Sequence, residues 1–275
     1  MDISSHRTIG KVSAYLINML YEENNNVFTI HDAQRILKKD YNSTSDLLSK
    51  MTKRGIIGRL KHGKFIIIPL EVGKVENYTG NRFVAAREII NSPRYYIGFY
   101  SAMNYWGMVT QPLLKTFIVT PKRQVVPSHL KDLFIFIYMK EKHIWGVSDE
   151  WVTRTEKVRI SDIEKTILDG LLYPHNCGGI TEIAKGIWLV LDKIDYKKLE
   201  EYVAVYNKNV IAKRLGYILE ILEAPQKSLL SKLRQYIKDN YDIFDPTIPA
   251  KRIDRNSWHI IDNIGREQIL NIIKY

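Results

Sequence analysis

Apolar positions recur at helical spacing from residue 8 to residue 23, with Ile9, Val12, Leu16, Met19 and Leu20 on one face. Polar residues Glu22 to Asn26 end that stretch, and a short extended run follows, Val27-Phe28-Thr29-Ile30. A second helical pattern covers His31 to Leu37. The polar turn Asp40-Tyr41-Asn42 breaks it, and a third helix opens in Ser43-Thr44-Ser45. On that helix Leu47, Leu48 and Met51 point inward, which leaves Ser45, Asp46, Ser49, Lys50 and Lys53 on the opposite face. Gly55 supplies the stop signal. Two β-runs, Ile56 to Leu60 and Phe65 to Ile68, flank the tight turn Lys61-His62-Gly63-Lys64. Helix, turn, helix and basic hairpin in this order predict a winged helix-turn-helix over residues 1–72, an element whose partner is duplex DNA.

After Pro69 the helical period is lost, and 73–81, with Gly73 and Gly80, reads as a linker. A second domain then covers 82–275. It opens with helices at 82–90 and 98–106. Runs of β-branched and aromatic residues follow at 116–120, 133–138 and 157–160. From Ser161 the pattern is helical almost to the end, in segments 161–173, 181–191, 196–206, 210–222 and 228–240. Strands gathered before helices predict an α+β fold, with a small β-sheet and a helical C-terminal half in the larger mixed domain.

Charge sharpens the functional expectation. Between Arg35 and Lys64 stand Arg35, Lys38, Lys39, Lys50, Lys53, Arg54, Arg59, Lys61 and Lys64, against only Asp40 and Asp46. The whole chain carries a net charge of +11, which suits an acidic partner. A single cysteine, Cys177, excludes an internal disulfide and a cysteine zinc cluster, and a cytoplasmic protein is expected. No apolar run reaches the roughly 18 residues of a membrane span, and MDISSHRTIGK lacks the apolar core of a signal peptide, so no membrane partner is expected.

Catalytic chemistry finds little support. A restriction-type nuclease needs an Asp and a Glu-x-Lys on a strand to hold Mg²⁺. Glu141-Lys142 and Glu164-Lys165 have the wrong spacing, and the second lies in a helix whose start reads as a capping box of Ser161 with Glu164. Asp162, Glu164 and Asp169 therefore read as caps and surface charge. His175 and Cys177 are too close in sequence to act as nucleophile and oriented base. The seven histidines lack ligand spacing, and no phosphate-cradling glycine run is present. The expectation is a non-enzyme with no catalytic residue, no cofactor and no metal. Tyr95, Tyr96, Phe99, Tyr100, Tyr105 and Trp106 read as core aromatics. Gly216 inside a helix costs about 1 kcal/mol against alanine, which predicts a close packing partner.

Several motifs together resemble the AbiEi antitoxin family of abortive-infection toxin–antitoxin systems over almost the whole chain. They are the winged-helix stretch ending in Lys61-His62-Gly63-Lys64-Phe65-Ile66-Ile67-Ile68-Pro69, then Tyr96-Ile97-Gly98-Phe99-Tyr100-Ser101-Ala102 and Ile118-Val119-Thr120-Pro121-Lys122-Arg123. Further along stand Ile163-Glu164-Lys165-Thr166-Ile167-Leu168-Asp169-Gly170-Leu171, Cys177-Gly178-Gly179 and Lys213-Arg214-Leu215-Gly216-Tyr217. The resemblance implies a transcriptional autorepressor that binds operator DNA upstream of its own operon. It also implies a second domain that counteracts a cognate nucleotidyltransferase-like toxin. Carried onto this chain, DNA would be read by Ser45, Ser49, Lys50 and Lys53 on the recognition helix and by Arg59, Lys61 and Lys64 on the wing. Lys122, Arg123, Lys213 and Arg214, cations that look exposed, become candidates for the antitoxin activity. The alternatives are an ordinary winged-helix regulator with a ligand-sensing or dimerisation domain, and a DNA-binding nuclease.

Overall fold

The computed structural model describes residues 9–73, 75, 77–224, 226–249 and 254–274. The expected helix start at residue 8 and the linker residues Lys74 and Glu76 lie outside the described residues. The fold is α+β, and no helix among the described residues is long and apolar enough to cross a membrane. Packing divides the chain into two compact units, each built from more than one chain segment.

The first unit comprises Met1–Pro93, Gln124–Phe134 and Trp151–Lys157. It contains α1 (Lys11–Glu22), β1 (Val27–Thr29), α2 (Ile30–Leu37), α3 (Tyr41–Lys53), β2 (Ile57–Lys61), β3 (Lys64–Ile67) and α4 (Arg82–Ile90). The three strands form an antiparallel sheet in the order β1-β3-β2, so the element order is that of a winged helix-turn-helix. Capping explains the helix starts. Thr29 and Asp32 form a reciprocal capping box at α2. Asp40 caps α3 by accepting from the Ser43 N–H at 3.0 Å, so α3 begins at Tyr41, inside the stretch that the sequence pattern assigns to a turn. At the other end Gly55 takes a left-handed φ of 69°, as its stop signal requires. Leu16, Leu20, Phe28, Ala33, Leu48, Met51 and Ile57 form the core, and Phe28 stacks on its cross-strand partner Phe65 at 5.8 Å.

The unit boundary differs from the expected division at 72 and 82. Helix α4 clusters with the winged helix because side chains of both tie them together. Lys61 Nζ donates to the Ile89 carbonyl at 2.7 Å, and Lys64 pairs with Glu88. Later segments join the same unit: Gln124 bonds the Ile90 carbonyl, His129 Nε2 donates to the Arg59 carbonyl at 2.6 Å, and Arg87 pairs with Glu156 at 2.8 Å.

The second unit comprises Arg94–Arg123, Ile135–Glu150 and Val158–Tyr275. Its five-stranded sheet runs in the order β6-β5-β4-β8-β7, from β4 (Tyr96–Ile97), β5 (Thr116–Thr120), β6 (Phe134–Tyr138), β7 (Val147–Trp151) and β8 (Lys157–Ser161). Strand β4 is central, antiparallel to β5 and parallel to β8. Helices α5 (Phe99–Tyr105), α6 (Ile163–Leu172), α7 (Ile180–Leu189), α8 (Tyr196–Tyr206) and α9 (Asn209–Ile221) follow the expected segments, and α10 (Lys227–Arg234) ends short of the expected residue 240. Helix α6 is the hub and packs against α5, α7, α8 and α9. It is buried at every position from Glu164 to Leu171, so it has no polar face to turn outward. A small sheet of β9 (Asp242–Ile243), β10 (Asp254–Arg255) and β11 (Ile260–Asp262), then α11 (Arg266–Lys274), complete the unit.

Two expectations about capping and packing meet the structure here. The Ser161–Glu164 capping box does not form. Asp162 is the N-cap and accepts from the Lys165 N–H at 2.8 Å, and the Ser161 hydroxyl is bonded to that of Thr166. Glu164 instead accepts from the Asp195 N–H and pairs with Lys198 at 2.7 Å. Gly216 does have a close packing partner, because the indole of Trp258 lies directly against it.

Candidate nucleic-acid interface and the buried centre of the second unit

Helix α3, the expected recognition helix, is held by Thr44, Leu48 and Met51, which are buried, with Leu47 partly buried against the same core. That leaves Asn42, Ser43, Asp46, Ser49, Lys50 and Lys53 exposed and Ser45 half-buried. Hydroxyls near the helix start and lysines in its last two turns thus share the outward face. Such a face can offer hydrogen bonds to base edges and cations to phosphates. Asp46 is the one carboxylate on it.

The wing is less basic towards solvent than its sequence suggests. Arg59 and His62 are exposed, but Lys61 and Lys64 are turned onto α4. Burial, then the neighbouring Lys64, lowers the Lys61 pKa below its ordinary value, with Glu88 acting the other way. Glu88 carries both partners of this contact: burial alone would raise its carboxyl, but Lys64 and Arg87 outweigh that and leave it lowered. Arg35 is likewise engaged, by both oxygens of Glu23. Of the nine cations between Arg35 and Lys64, the exposed ones outside these contacts are Lys38, Lys39, Lys50, Lys53, Arg54 and Arg59. A 440 Å³ cleft lies beside them, with Lys53, Arg59 and His129 in its wall. His129 comes from a segment that the sequence pattern leaves with the second domain, so no local signal pointed to it.

The antitoxin candidates separate into two pairs. Lys122 and Arg123 are exposed, and the Arg123 guanidinium sits 5.6 Å from the centre of the Tyr138 ring. Lys213 and Arg214 are buried, which corrects the expectation that they face outward. Lys213 bonds the Asn240 carbonyl and pairs with Asp242 at 2.8 Å. Arg214 donates to the carbonyls of Leu171 at 2.5 Å and Ile243 at 2.9 Å. Burial pushes its pKa down to about 10, against the pull of Asp242 and Asp245. Both cations therefore stitch α9 to its neighbours and do not reach a partner. Sequence does not show this, because residues 211 to 216 are buried in succession and helical periodicity has no inside and outside to report there.

Asp169 also lies elsewhere than expected. It is no surface charge: it pairs with Lys165 at 2.6 Å, each side chain being 1% exposed. The hydroxyls of Tyr96 (2.9 Å) and Tyr206 also donate to it. The Lys165 ammonium is enclosed by rings, 4.7 Å from the centre of Trp145 and 5.0 Å from that of Tyr206. Burial first, then the charge of Asp169, raises both tyrosines well above their ordinary value, so their hydroxyls stay protonated donors. The sequence sign of this centre is a lysine and an aspartate four residues apart on one helix, the spacing of an ion pair one turn long. Cys177 lies close by and is fully buried, and burial followed by Asp169 keeps its thiol protonated. Among the described residues no group of three or more His, Cys, Asp or Glu could hold a metal ion.

No protein-family model matches this chain, and no curated protein matches it in sequence. In structure the chain is similar to the RV2827C protein from Mycobacterium tuberculosis, with a TM-score of 0.73 at 14% identity. The likeness covers 98% of this chain and 97% of that one, so the two share a fold over their full length.

Proposed function

We propose that this chain is a cytoplasmic, sequence-specific DNA-binding autorepressor that also acts as an antitoxin, and that it is not an enzyme. The observation that carries the DNA half is the outward face of α3. There Ser45, Ser49, Lys50 and Lys53 stand with Arg59 of β2 nearby in sequence and on the same unit, while the buried residues of α3 secure it to the core. In this reading the serines meet base edges and the lysines and Arg59 meet phosphates. Lys61 and Lys64 hold the wing in place and do not touch DNA. The operator lies upstream of the chain's own operon.

The antitoxin half rests on the likeness of the second-unit motifs to AbiEi antitoxins, with a nucleotidyltransferase-like toxin as the partner. Lys122 and Arg123 are the surface candidates that remain for it. A mobility shift of the full chain on its own upstream DNA, with scrambled competitor and a salt titration, tests the first half. Saturable binding that survives competitor is expected, and equal affinity for both DNAs would sink the repressor reading. Co-expression with the neighbouring gene tests the second half: rescue of growth is expected, and toxicity undiminished by this chain would refute it.

A further inference from the structure

The second unit carries a cavity of about 470 Å³, within the ~300–1,000 Å³ range of small-molecule sites. Lys142 and Lys208 line it with cations beside the imidazole of His143, and Trp145, Tyr173 and Tyr206 line it with aromatic rings. Asp169 is the one carboxylate in its wall, and its oxygens are already engaged by Lys165, Tyr96 and Tyr206. Lys142 and Lys208 are exposed, and among the described residues neither belongs to an ion pair. The local field is therefore positive. His143 reports the same sign: after burial, the lysines Lys142 and Lys165 are the next causes that lower its pKa. Lys208 is also the N-cap of α9, a thirteen-residue helix whose start has neither a side-chain cap bond nor an acidic residue in its first turn. Its dipole adds positive potential there, opposed by the C-termini of α6 and α8, which end at Leu172 and Tyr206 in the same wall, so the two lysines carry the attraction for an anion.

We propose that this cavity binds a small anion carrying a planar ring, of the nucleoside monophosphate class. The phosphate is held by Lys142 and Lys208, and the ring lies on the aromatic wall of Trp145 and Tyr206. Flat rings on aromatic faces and phosphates on lysines are separately favourable, and only a ligand with both uses the whole lining. The site stands apart from the DNA reading, on different residues of a different unit.

The test is calorimetric titration of the full chain with AMP, GMP, CMP and UMP in turn, and with inorganic phosphate and adenosine as half-ligands. One site per chain is expected for at least one nucleotide, with both half-ligands at least tenfold weaker. The double variant Lys142→Ala/Lys208→Ala should weaken that binding at least tenfold with an unchanged melting temperature. If the double variant proves unstable, the single exposed change Lys208→Glu serves in its place. Binding of none of the four nucleotides, or an unchanged Kd in these variants, would overturn the proposal. Phosphate binding as tightly as the nucleotides would overturn the role of the aromatic wall.

Discussion

Lys61, at the end of β2, donates its Nζ–H to the carbonyl oxygen of Ile89 in α4 at 2.7 Å. A lysine on the wing of a winged helix is ordinarily counted as a phosphate contact. Here the ammonium is directed at a helix carbonyl, and Lys64 beside it is directed at Glu88. The two charges fix the hairpin to α4, so the basic residues of this unit divide into those that hold it together and those that face out.

That division shows in salt dependence. Each phosphate contact that is lost should shallow the slope of log K against log salt by about 0.9. Lys50→Ala, Lys53→Ala and Arg59→Ala are each expected to do so in a salt-titrated mobility shift. Lys61→Ala is expected to leave the slope unchanged and to lower the melting temperature. A shallower slope for Lys61→Ala with wild-type stability would show that its bond to Ile89 opens on DNA.

Acid should weaken the neighbouring pairs of Glu88 with Lys64 and Arg87. Despite burial, Lys64 and Arg87 hold the Glu88 pKa below its ordinary 4.5. The folded value is thus below the unfolded one. The stabilisation is complete above pH 4.5 and is lost as pH falls through the lowered folded value. Glu88→Gln should cost about 1 kcal/mol at pH 7, since the pair is only partly buried, and should flatten the decline of urea stability below pH 4.5. An acid limb as steep as the wild type's would exclude Glu88 as its source.

The Lys165–Asp169 pair makes a sharper stability test because both partners are out of solvent. Asp169→Asn or Lys165→Met alone leaves one charge buried without its partner, at a cost of about 3–5 kcal/mol by denaturant unfolding. Lys165→Met together with Asp169→Leu removes both charges and should recover much of that loss. A double variant no better than the sum of the singles would mean that the tyrosine hydroxyls, and not the ion pair, dominate the centre.

Gly216→Ala probes packing without charge. A Cβ there would stand 2.1 Å from Cζ3 of Trp258, an indole buried and bonded through Nε1 to Glu220. The helix-propensity gain of about 1 kcal/mol from alanine is outweighed by overpacking, for a net loss on the order of 2 kcal/mol. A variant as stable as the wild type would show that the ring can slide aside.

The winged helix was legible because its periods are clean. Leu48 and Met51 recur at helical spacing, and Gly55 marks the stop. The second unit was less so. Strand β7, with Asp149 and Glu150 in a five-residue run, lacks the β-branched signal that gave β5 away. The two-residue strands β9 and β10 are too short for any period to register. Helices α6 and α9 are buried on nearly all sides, so Asp169, Lys213 and Arg214 read as surface charges. Asp169 has Lys165 one turn away, but Tyr96, Tyr206, Asp242 and the Ile243 carbonyl, which complete these contacts, lie far along the chain. The outward residues of α3 could be named from sequence, but the turning inward of Lys61 and Lys64 could not, because it depends on where α4 packs.

The winged unit is assembled from three separated stretches, the last of which ends at Lys157. A chain emerging from the ribosome therefore finishes α3 early but must grow past residue 129 before His129 can reach the Arg59 carbonyl, and past residue 156 before Glu156 can pair with Arg87. A cut after residue 93 would free all seven labelled elements of the unit and still remove both supports. The order of synthesis thus delays completion of the first unit until more than half the protein exists, a built-in lag between its translation and its full rigidity.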